Sequence, residues 1–294
     1  MNRLGALVGP ARPVLLDGGM GTLLQDAGLE DGAPGELWNL ENPAAVRAAH
    51  AAYADAGARI LTTNTFGGTR PRLDMHGLGD RLAEVNRNAA QIARSVADER
   101  GLLVAGDLGP TGELLAPLGT MTSEDAQALF AEQLAALVEG GIDLVLVETL
   151  SDLGEADAAL AAARQVAPHL PVIVTMSFDT NLRTMMGVRP AEAVAHLAAA
   201  GADAVGANCG RGPEEMEVIA AQLAEARTGD LLLVAQSNAG LPQVVGDHFE
   251  YDATPGDLAA HAARLADLGI DLVGGCCGST PVHIAAVGAT LHPA

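Results

Sequence analysis

The sequence lacks lysine altogether, has three cysteines and has an aromatic content of 2%. The absence of lysine excludes enzymes that form a Schiff base through a lysine of their own, such as pyridoxal phosphate enzymes and lysine aldolases. Three cysteines in 294 residues argue against a framework of disulfide bonds. Because aromatic side chains are scarce, alanine, leucine, valine and glycine have to fill the core.

Positive charge and long apolar runs are also in short supply. All 16 cationic residues are arginines, and against 37 acidic residues they leave a formal net charge of −21. Such a chain is not expected to bind nucleic acid or an anionic membrane, which both require clustered cations. No apolar run approaches the roughly 18 residues of a spanning helix. The apolar segment 4–8 is too short for a signal-peptide core, and the expected location is the cytoplasm.

The composition that is present predicts a large folded core. Hydrophobic residues make up 49% of the chain and charged residues 18%, which excludes disorder. Eight apolar runs bounded by turn residues predict strands at 14–16, 60–63, 103–106, 144–147, 172–176, 204–207, 231–235 and 272–274. Helical periodicity between them predicts helices that include 43–57, 123–140, 152–166, 190–201 and 255–269.

A helix–glycine–strand junction recurs four times, at Gly57, Gly141, Gly201 and Gly269. Glycine at such a junction is typical of a left-handed helix cap, where a Cβ atom would clash. Repeated strand–helix units predict a parallel sheet that is covered by helices. We therefore expect an α/β protein with a single (β/α)8 TIM barrel domain over residues 1–294; an open doubly wound sheet is the alternative.

Polar residues follow the predicted strands, at the end of the barrel where such enzymes carry out their chemistry. The residues in these positions are Asp17, Asn64, Asp107, Glu148, Ser177, Asn208, Cys209, Ser237, Asn238, Cys276 and Cys277. All three cysteines of the chain are among them. The cysteines are therefore expected to meet at one rim if the strands after which they come converge.

The three cysteines predict a zinc site with three thiolates and one position open for substrate. Cys276 and Cys277 are adjacent, so the backbone has to turn there, and Gly274, Gly275 and Gly278 permit the turn. The spacing to Cys209 is not that of a zinc finger, so the prediction depends on the fold. The alternative is that the three residues are small buried hydrophobic side chains, as free cysteines often are.

Two further patterns have two interpretations each. The glycine-rich segment that begins at Asp17 and runs to Thr22 is suited to an anion such as a substrate carboxylate, or is simply a tight, closely packed turn. It lacks the spacing and the lysine of a nucleotide-binding loop. Asp107 and Glu148 on adjacent strands resemble the carboxylate pair of a glycosidase, although the scarcity of aromatic residues for sugar stacking argues against that enzyme class.

Seven segments together resemble the homocysteine S-methyltransferase family. They are 16–22 (LDGGMGT), 63–66 (TNTF), 109–110 (GP), 148–149 (ET), 206–209 (GANC), 238–242 (NAGLP) and 274–278 (GGCCG). They occur in order along nearly the whole chain, and the pair GANC and GGCCG is specific to the family. The sequences DGGMGT, TNTF and NAGLP are most similar to the homocysteine-binding module of cobalamin-dependent methionine synthases.

This resemblance implies a zinc-dependent transfer of a methyl group to the thiol of homocysteine, giving methionine. It implies that Cys209, Cys276 and Cys277 bind zinc and that Asp17 and Glu148 hold the homocysteine ammonium. Substrate contacts are also expected at Gly18, Gly19 and Asn208. Asn238 matches a position that binds the zinc when homocysteine is absent.

The resemblance leaves the methyl donor open between a small molecule and a methylcorrinoid carried by a partner protein. Betaine enzymes of the family hold their cationic donor with aromatic residues, and two of the matching positions are here Gly67 and Thr149. A corrinoid partner is therefore favoured over betaine, with S-methylmethionine as another small donor. An alternative of a different class is a non-catalytic zinc-binding barrel. Retention of Asp17 and Glu148 beside the thiols argues against it.

Overall fold

A computed structural model describes residues 2–30, 32–245 and 248–293, with the side chains of 244–249 excepted. Within these residues, eight parallel strands form one sheet, in which the second to the last lie side by side in chain order and the last pairs with the first. A parallel bridge between Leu16 and Ile60 joins the first strand to the second and closes the sheet. The predicted (β/α)8 barrel is confirmed, and the open doubly wound sheet is excluded.

The strands of the barrel match the eight apolar runs. They are β1 Val14–Leu15, β2 Ile60–Thr62, β3 Leu103–Leu108, β4 Leu144–Leu150, β5 Val172–Met176, β6 Ala204–Cys209, β7 Leu232–Ser237 and β10 Leu272–Gly275. Two further short strands, β8 Gln243–Val245 and β9 His248–Glu250, pair antiparallel outside the barrel. The sequence analysis did not predict this hairpin, because its segment has no long apolar run.

Helices lie between the strands and cover the barrel. They are α1 Arg3–Val8, α2 Met20–Asp26, α3 Trp38–Glu41, α4 Pro43–Asp55, α5 Arg70–Asp74, α6 Leu82–Arg100, α7 Ser123–Gly140, α8 Leu153–Val166, α9 Pro190–Ala200, α10 Pro213–Ala226, α11 Pro255–Asp267 and α12 Pro281–Leu291. None of the helices in the described part of the chain is both long and apolar enough to cross a membrane.

Glycine and threonine set the helix ends that the repeats predict. Gly141 and Gly201 follow α7 and α9 in the left-handed conformation, with φ of 97° and 91°. Thr122 and Thr254 cap the starts of α7 and α11, each accepting a hydrogen bond from a backbone N–H in the first turn. These signals direct the chain out of each helix and back into the sheet.

The core has two layers that follow the alternation of side chains along each strand. One layer fills the barrel interior and includes Leu16, Ala105, Leu146 and Ile173. The other lies between the strands and the helices and consists largely of alanine, leucine and valine. Small side chains are thus sufficient to pack the barrel, as the scarcity of aromatic residues requires.

Several strands extend further toward the carboxyl end than the apolar runs suggest. Asp107, Glu148 and Asn208 each lie inside a strand, where the sequence analysis placed them just after its end. The reason is that strand pairing uses the backbone, so polar side chains continue a ladder as long as the neighbouring strand does. The predicted site residues are therefore carried on rigid strands.

Candidate active site and metal centre

A ring of polar side chains lies at the carboxyl end of the barrel interior. Leu103 and Ala105 pack inside the barrel, so Asp107 two residues further along the strand also faces inward. The same alternation places one inward polar side chain on each of six strands. These are Thr62, Asp107, Glu148, Thr175, Asn208 and Gln236. The ring forms the floor of the candidate site.

The three cysteines meet beside this ring. Their Sγ atoms lie within 4.8 Å of one another, and those of Cys276 and Cys277 are 4.0 Å apart. Sulfurs that are each about 2.3 Å from a tetrahedral zinc ion lie about 3.8 Å from one another. The cluster therefore fits a zinc ion, because its donors are soft and its sulfurs are nearly at ligand spacing.

Local backbone geometry directs the sulfurs toward one another. Cys209 ends β6 with a positive φ of 64°, a conformation that costs energy in a residue with a Cβ atom. The N–H of Cys276 donates to the carbonyl of Ser237 at 2.8 Å, which ties the cysteine loop to the end of β7. A main-chain hydrogen bond thus holds the cysteine loop against the sheet.

Asn238 lies against the same loop and is bonded at both ends of its amide. Its Oδ1 accepts from the N–H of Cys277 at 3.1 Å, and its Nδ2 donates to the carbonyl of Gly210 at 2.8 Å. Asn238 therefore links the two cysteine-bearing segments in this structure. Its role as a metal ligand stays a prediction.

The three thiols share their protons unequally. Hydrogen bonds from the other two thiols lower the pKa of Cys209 to about 3. The hydrogen bond between Cys277 and Cys209 is the main cause that raises the pKa of Cys277 to about 12. The hydrogen bond between Cys276 and Cys209 likewise raises the pKa of Cys276. The two neighbouring thiols thus stabilise a thiolate at Cys209.

Asp17 lies in the wall of the site, 3% exposed, and is held by one residue of β2. Its carboxylate accepts from the backbone N–H of Thr62 at 2.6 Å and from the hydroxyl of Thr62 at 2.8 Å. Burial nevertheless raises the pKa of Asp17 to about 6, so desolvation outweighs both hydrogen bonds. Sequence reasoning did not identify Thr62, whose position follows only from closure of the barrel.

Glu148 has the more strongly shifted carboxyl group of the two candidate ammonium ligands. Burial, together with the nearby charge of Asp17, raises the pKa of Glu148 to about 8. The next residue, Thr149, has a positive φ of 61° where the pairing of β4 with β5 shifts register. This irregularity lies directly beside Glu148 at the rim.

Asn208 supports that irregular segment. Its Oδ1 accepts from the N–H of Thr149 at 2.9 Å and from the hydroxyl of Thr175 at 2.8 Å, while its Nδ2 donates to the hydroxyl of Thr149 at 2.7 Å. The same Nδ2 is 3.9 Å from the sulfur of Cys276. Asn208 thus joins three strands at the floor of the site; its contact with substrate stays a prediction.

The two glycines after Asp17 allow close packing against the cysteine loop. A Cβ atom on Gly18 would lie 2.8 Å from the ring of Tyr53, and one on Gly19 would lie 2.8 Å from the carbonyl oxygen of Cys276. The N–H of Gly19 donates to the carbonyl of Ser279 at 3.2 Å. The packed-turn interpretation therefore applies to this segment, and substrate contact at the glycines stays a prediction.

Two residues near the sulfurs make contacts that the sequence did not predict. Tyr251 packs its ring against Gly278, and its pKa is raised by burial and by the charge of Cys277. Ser237, at the end of β7, bonds to His261 at 2.7 Å, which in turn bonds to Glu217 at 2.8 Å. Ser237 is 1% exposed, so this Ser–His–Glu chain braces the helices against the strand.

The candidate site combines soft donors with acidic groups. Asp17, Asp107 and Glu148 interact electrostatically with one another, and Glu36 also acts on Asp107. None of these four carboxyl groups forms an ion pair within the described residues. Such a site is suited to a ligand that carries both a thiol and a positively charged group.

Comparison with known proteins places the chain in one enzyme family. The family model of homocysteine S-methyltransferase matches residues 14–291. Methionine synthase of Mycobacterium leprae is 35% identical over 95% of this chain, and that of Mycobacterium tuberculosis is 34% identical over 95%. The chain spans about a quarter of the length of these two relatives, 24% and 25% respectively.

A solved structure is similar over its full length. The metallated form of the homocysteine methyltransferase MmuM from Escherichia coli superposes with a TM-score of 0.81 at 28% identity, and the match covers 98% of this chain and 99% of that one. A methyltransferase from Methanosarcina mazei shares the fold with a TM-score of 0.61 at 14% identity.

Proposed function

Because the chain belongs to the homocysteine S-methyltransferase family, we propose that residues 1–294 act as one zinc-dependent domain that methylates the thiol of homocysteine to give methionine. Membership of this family supports a methyltransferase over a glycosidase and over a non-catalytic zinc-binding barrel. The observation that carries the zinc proposal is the cluster of three sulfurs within 4.8 Å at the rim of the barrel.

Cys209, Cys276 and Cys277 would hold the zinc ion, and Asn238 would fill its remaining position in the absence of substrate. When bound, zinc supplies a means to keep the substrate thiol deprotonated at neutral pH, where a free thiol of pKa about 8.5 is mostly protonated. In the reaction the substrate sulfur forms a bond to the methyl carbon while the bond from that carbon to the donor breaks. The thiol proton is released to solvent.

Asp17 and Glu148 would bind the ammonium group of homocysteine and fix its orientation. Burial raises the pKa values of both carboxyl groups, and a positive charge beside them favours their ionised forms. Gly18, Gly19 and Asn208 would shape the surrounding wall. Binding therefore orients the sulfur of the substrate toward the cysteine cluster.

The methyl donor that we propose is a methylcorrinoid presented by a partner protein or domain. Large apolar side chains are exposed on loops that follow strands at the rim, among them Phe66, Leu114, Leu118, Met185 and Leu241, with exposed fractions of 37 to 66%. Apolar side chains grouped on one face are typical of a docking surface. They suit a bulky donor better than a small molecule that enters the site alone.

A small donor is the second candidate. The match to the Escherichia coli homocysteine methyltransferase covers 99% of that solved chain, which supports a donor that a single barrel can use. Betaine is disfavoured because Gly67 and Thr149 occupy positions where betaine enzymes have aromatic residues. Trp38, which lies near a third such position in the sequence, packs against the cluster of Leu24 and Val46 instead.

Methionine formation with each donor in turn tests the proposal. Zinc-loaded, reduced protein is incubated with L-homocysteine and with methylcobalamin, S-methylmethionine or betaine, and methionine is measured by mass spectrometry. We expect methionine with methylcobalamin and none with betaine. Rapid turnover of betaine alone would contradict the proposed donor, and the absence of product with all three donors would contradict the proposed reaction.

The metal is tested separately. Cys277→Ala should lower zinc stoichiometry and methionine formation together, and chelation followed by addition of zinc should abolish and restore the activity of the unmodified protein. Full turnover by fully chelated protein would overturn the assignment of zinc. Since all three cysteines lie in the cluster, the reconstituted wild-type protein is the appropriate control.

A further inference from the structure

Asp107 is a buried carboxyl group for which the proposed reaction has so far no use. It is 2% exposed and lies in β3, with its side chain directed to the barrel interior by the alternation that also directs Leu103 and Ala105 there. Its backbone is held firmly: its N–H donates to the hydroxyl of Thr63 at 3.0 Å, and its carbonyl accepts from the hydroxyl of Thr65 at 2.8 Å.

One oxygen of the Asp107 side chain, in contrast, has no partner among the described residues. This Oδ1 atom is buried and accepts no hydrogen bond from any described residue, and no arginine in the described part of the chain forms an ion pair with it. A buried carboxyl oxygen without a partner is costly, and native structures rarely retain one unless a ligand satisfies it. Asp107 lies in the same inward ring as Glu148, which is the candidate ammonium ligand.

The surroundings of Asp107 suit a cation. Burial is the main cause that raises its pKa, and the charges of Glu148, Glu36 and Asp17 raise it further. An ammonium group has three N–H donors, and the family resemblance implies only two carboxylates, Asp17 and Glu148, as their acceptors. The two ligands that the family resemblance implies thus leave room for a third acceptor.

We propose that Asp107 is a third acceptor for the ammonium group of the substrate and makes the site selective for thiols that carry an amino group. This inference rests on the proposed function. The ammonium donates one N–H to each of Asp107, Asp17 and Glu148, and the positive charge satisfies three carboxyl groups that have no cation of their own. No bond is made or broken in this step.

The test compares two ligands that differ only in the amino group. Binding of L-homocysteine and of 4-mercaptobutyrate to the zinc-loaded protein is measured by calorimetry for the wild-type protein and for Asp107→Asn. Since a hydrogen bond to a charged group is involved, the variant should bind homocysteine about tenfold to a hundredfold more weakly. Its affinity for 4-mercaptobutyrate should change little, because that thiol has no ammonium group.

Asp143→Asn is the matched control. Asp143 lies before the amino end of β4, at the opposite end of the barrel, where it accepts from the N–H of Val104 at 2.8 Å and from Arg94 at 2.6 Å. Its substitution should lower stability without changing the ratio of the two affinities. The ratio therefore separates a contact with the ammonium from a general loss of structure.

The possible results are distinguishable. If the wild-type protein binds neither thiol, the proposed function fails. If the wild-type protein binds homocysteine and Asp107→Asn binds it equally well, only the assignment of Asp107 fails. Equal losses of affinity for both thiols would likewise overturn the assignment.

Discussion

At the scale of single residues, Gly19 shows how closely two loops of the site approach each other. A Cβ atom added there would lie 2.8 Å from the carbonyl oxygen of Cys276, a backbone atom that cannot move away without shifting the cysteine loop. In contrast, a Cβ atom on Gly21 meets nothing within 4 Å. The two positions are two residues apart and form a matched pair.

We predict that Gly19→Ala weakens zinc binding and lowers the free energy of unfolding by about 1–3 kcal/mol, because the cysteine loop is forced outward. Gly21→Ala, inside α2, should be neutral or stabilising by up to about 1 kcal/mol. Zinc titration and urea denaturation measure both effects. Equal zinc affinity in the two variants would show that the close contact does not determine the position of the sulfurs.

The shifted carboxyl group of Glu148 makes a prediction about pH. Its pKa is about 8 in the folded protein against 4.5 for an ordinary glutamate, so the unfolded chain releases the proton first as pH rises. Below pH 4.5 the carboxyl group is neutral in the folded and in the unfolded protein. Between pH 4.5 and pH 8 only the unfolded chain loses this proton, so the free energy of unfolding falls by about 1.4 kcal/mol per pH unit.

Glu148→Gln removes this dependence, since glutamine does not ionise. We expect the two metal-free, reduced proteins to be nearly equal in stability near pH 4.5 and the variant to be more stable by a few kcal/mol at pH 8. Urea denaturation at the two pH values measures the difference. A gap that stays constant with pH would show that Glu148 is ionised in the folded protein.

At the scale of elements, the irregular end of β4 depends on strands β5 and β6. Asn208 on β6 makes three hydrogen bonds there, two with Thr149 and one with Thr175. Replacement of its amide leaves the buried polar groups of these neighbours without partners. The end of β4 carries Glu148, so the site depends on the same bonds.

We predict that Asn208→Leu, which is close in size, lowers the free energy of unfolding by about 2–4 kcal/mol and weakens homocysteine binding. Thr175→Val removes one of the three bonds and should cost about 1 kcal/mol. Urea denaturation and calorimetry give the two readings. If Asn208→Leu were no less stable than Thr175→Val, the bonds to Thr149 would not hold the end of the strand.

The elements could be predicted from sequence where their signal is local. Apolar runs located all eight barrel strands, and α7 begins and ends where the sequence predicts, because Thr122 and Gly141 are local cap residues. The ends of β4 and β6 could not be predicted from apolar runs, since polar residues such as Glu148 continue a ladder with the adjacent strand. Partners such as Thr62 for Asp17 follow only from tertiary packing.

At the scale of the whole molecule, closure of the barrel creates the site. The cysteines come from β6 and from the loop after β10, and β7 lies between these two strands in the sheet. Sequence spacing alone left buried thiols as an alternative, and the family resemblance was needed to favour a metal. The open oxygen of Asp107 had no sequence signal, because an unsatisfied atom is a property of the packed interior.

The net charge of the whole molecule should affect its stability. The net charge is −21, so acidic residues far outnumber the arginines available to pair with them. Several arginines are in exposed ion pairs, such as Arg47 with Glu99 and Arg81 with Glu84. Exposed pairs of this kind contribute about 0–1 kcal/mol each, whereas the repulsion among unpaired carboxylates acts over the whole surface.

Salt weakens both the ion pairs and the repulsion among carboxylates, and we expect the repulsion to have the larger effect on stability. We predict that the melting temperature of the zinc-loaded protein rises by a few degrees between about 0.01 M and about 0.5 M sodium chloride, as the Debye length falls from about 30 Å to about 4 Å. Calorimetry with choline chloride as a second salt separates screening from sodium binding. A melting temperature that falls with both salts would mean that the ion pairs outweigh the repulsion. The acidic surface would then not destabilise the folded protein at low salt.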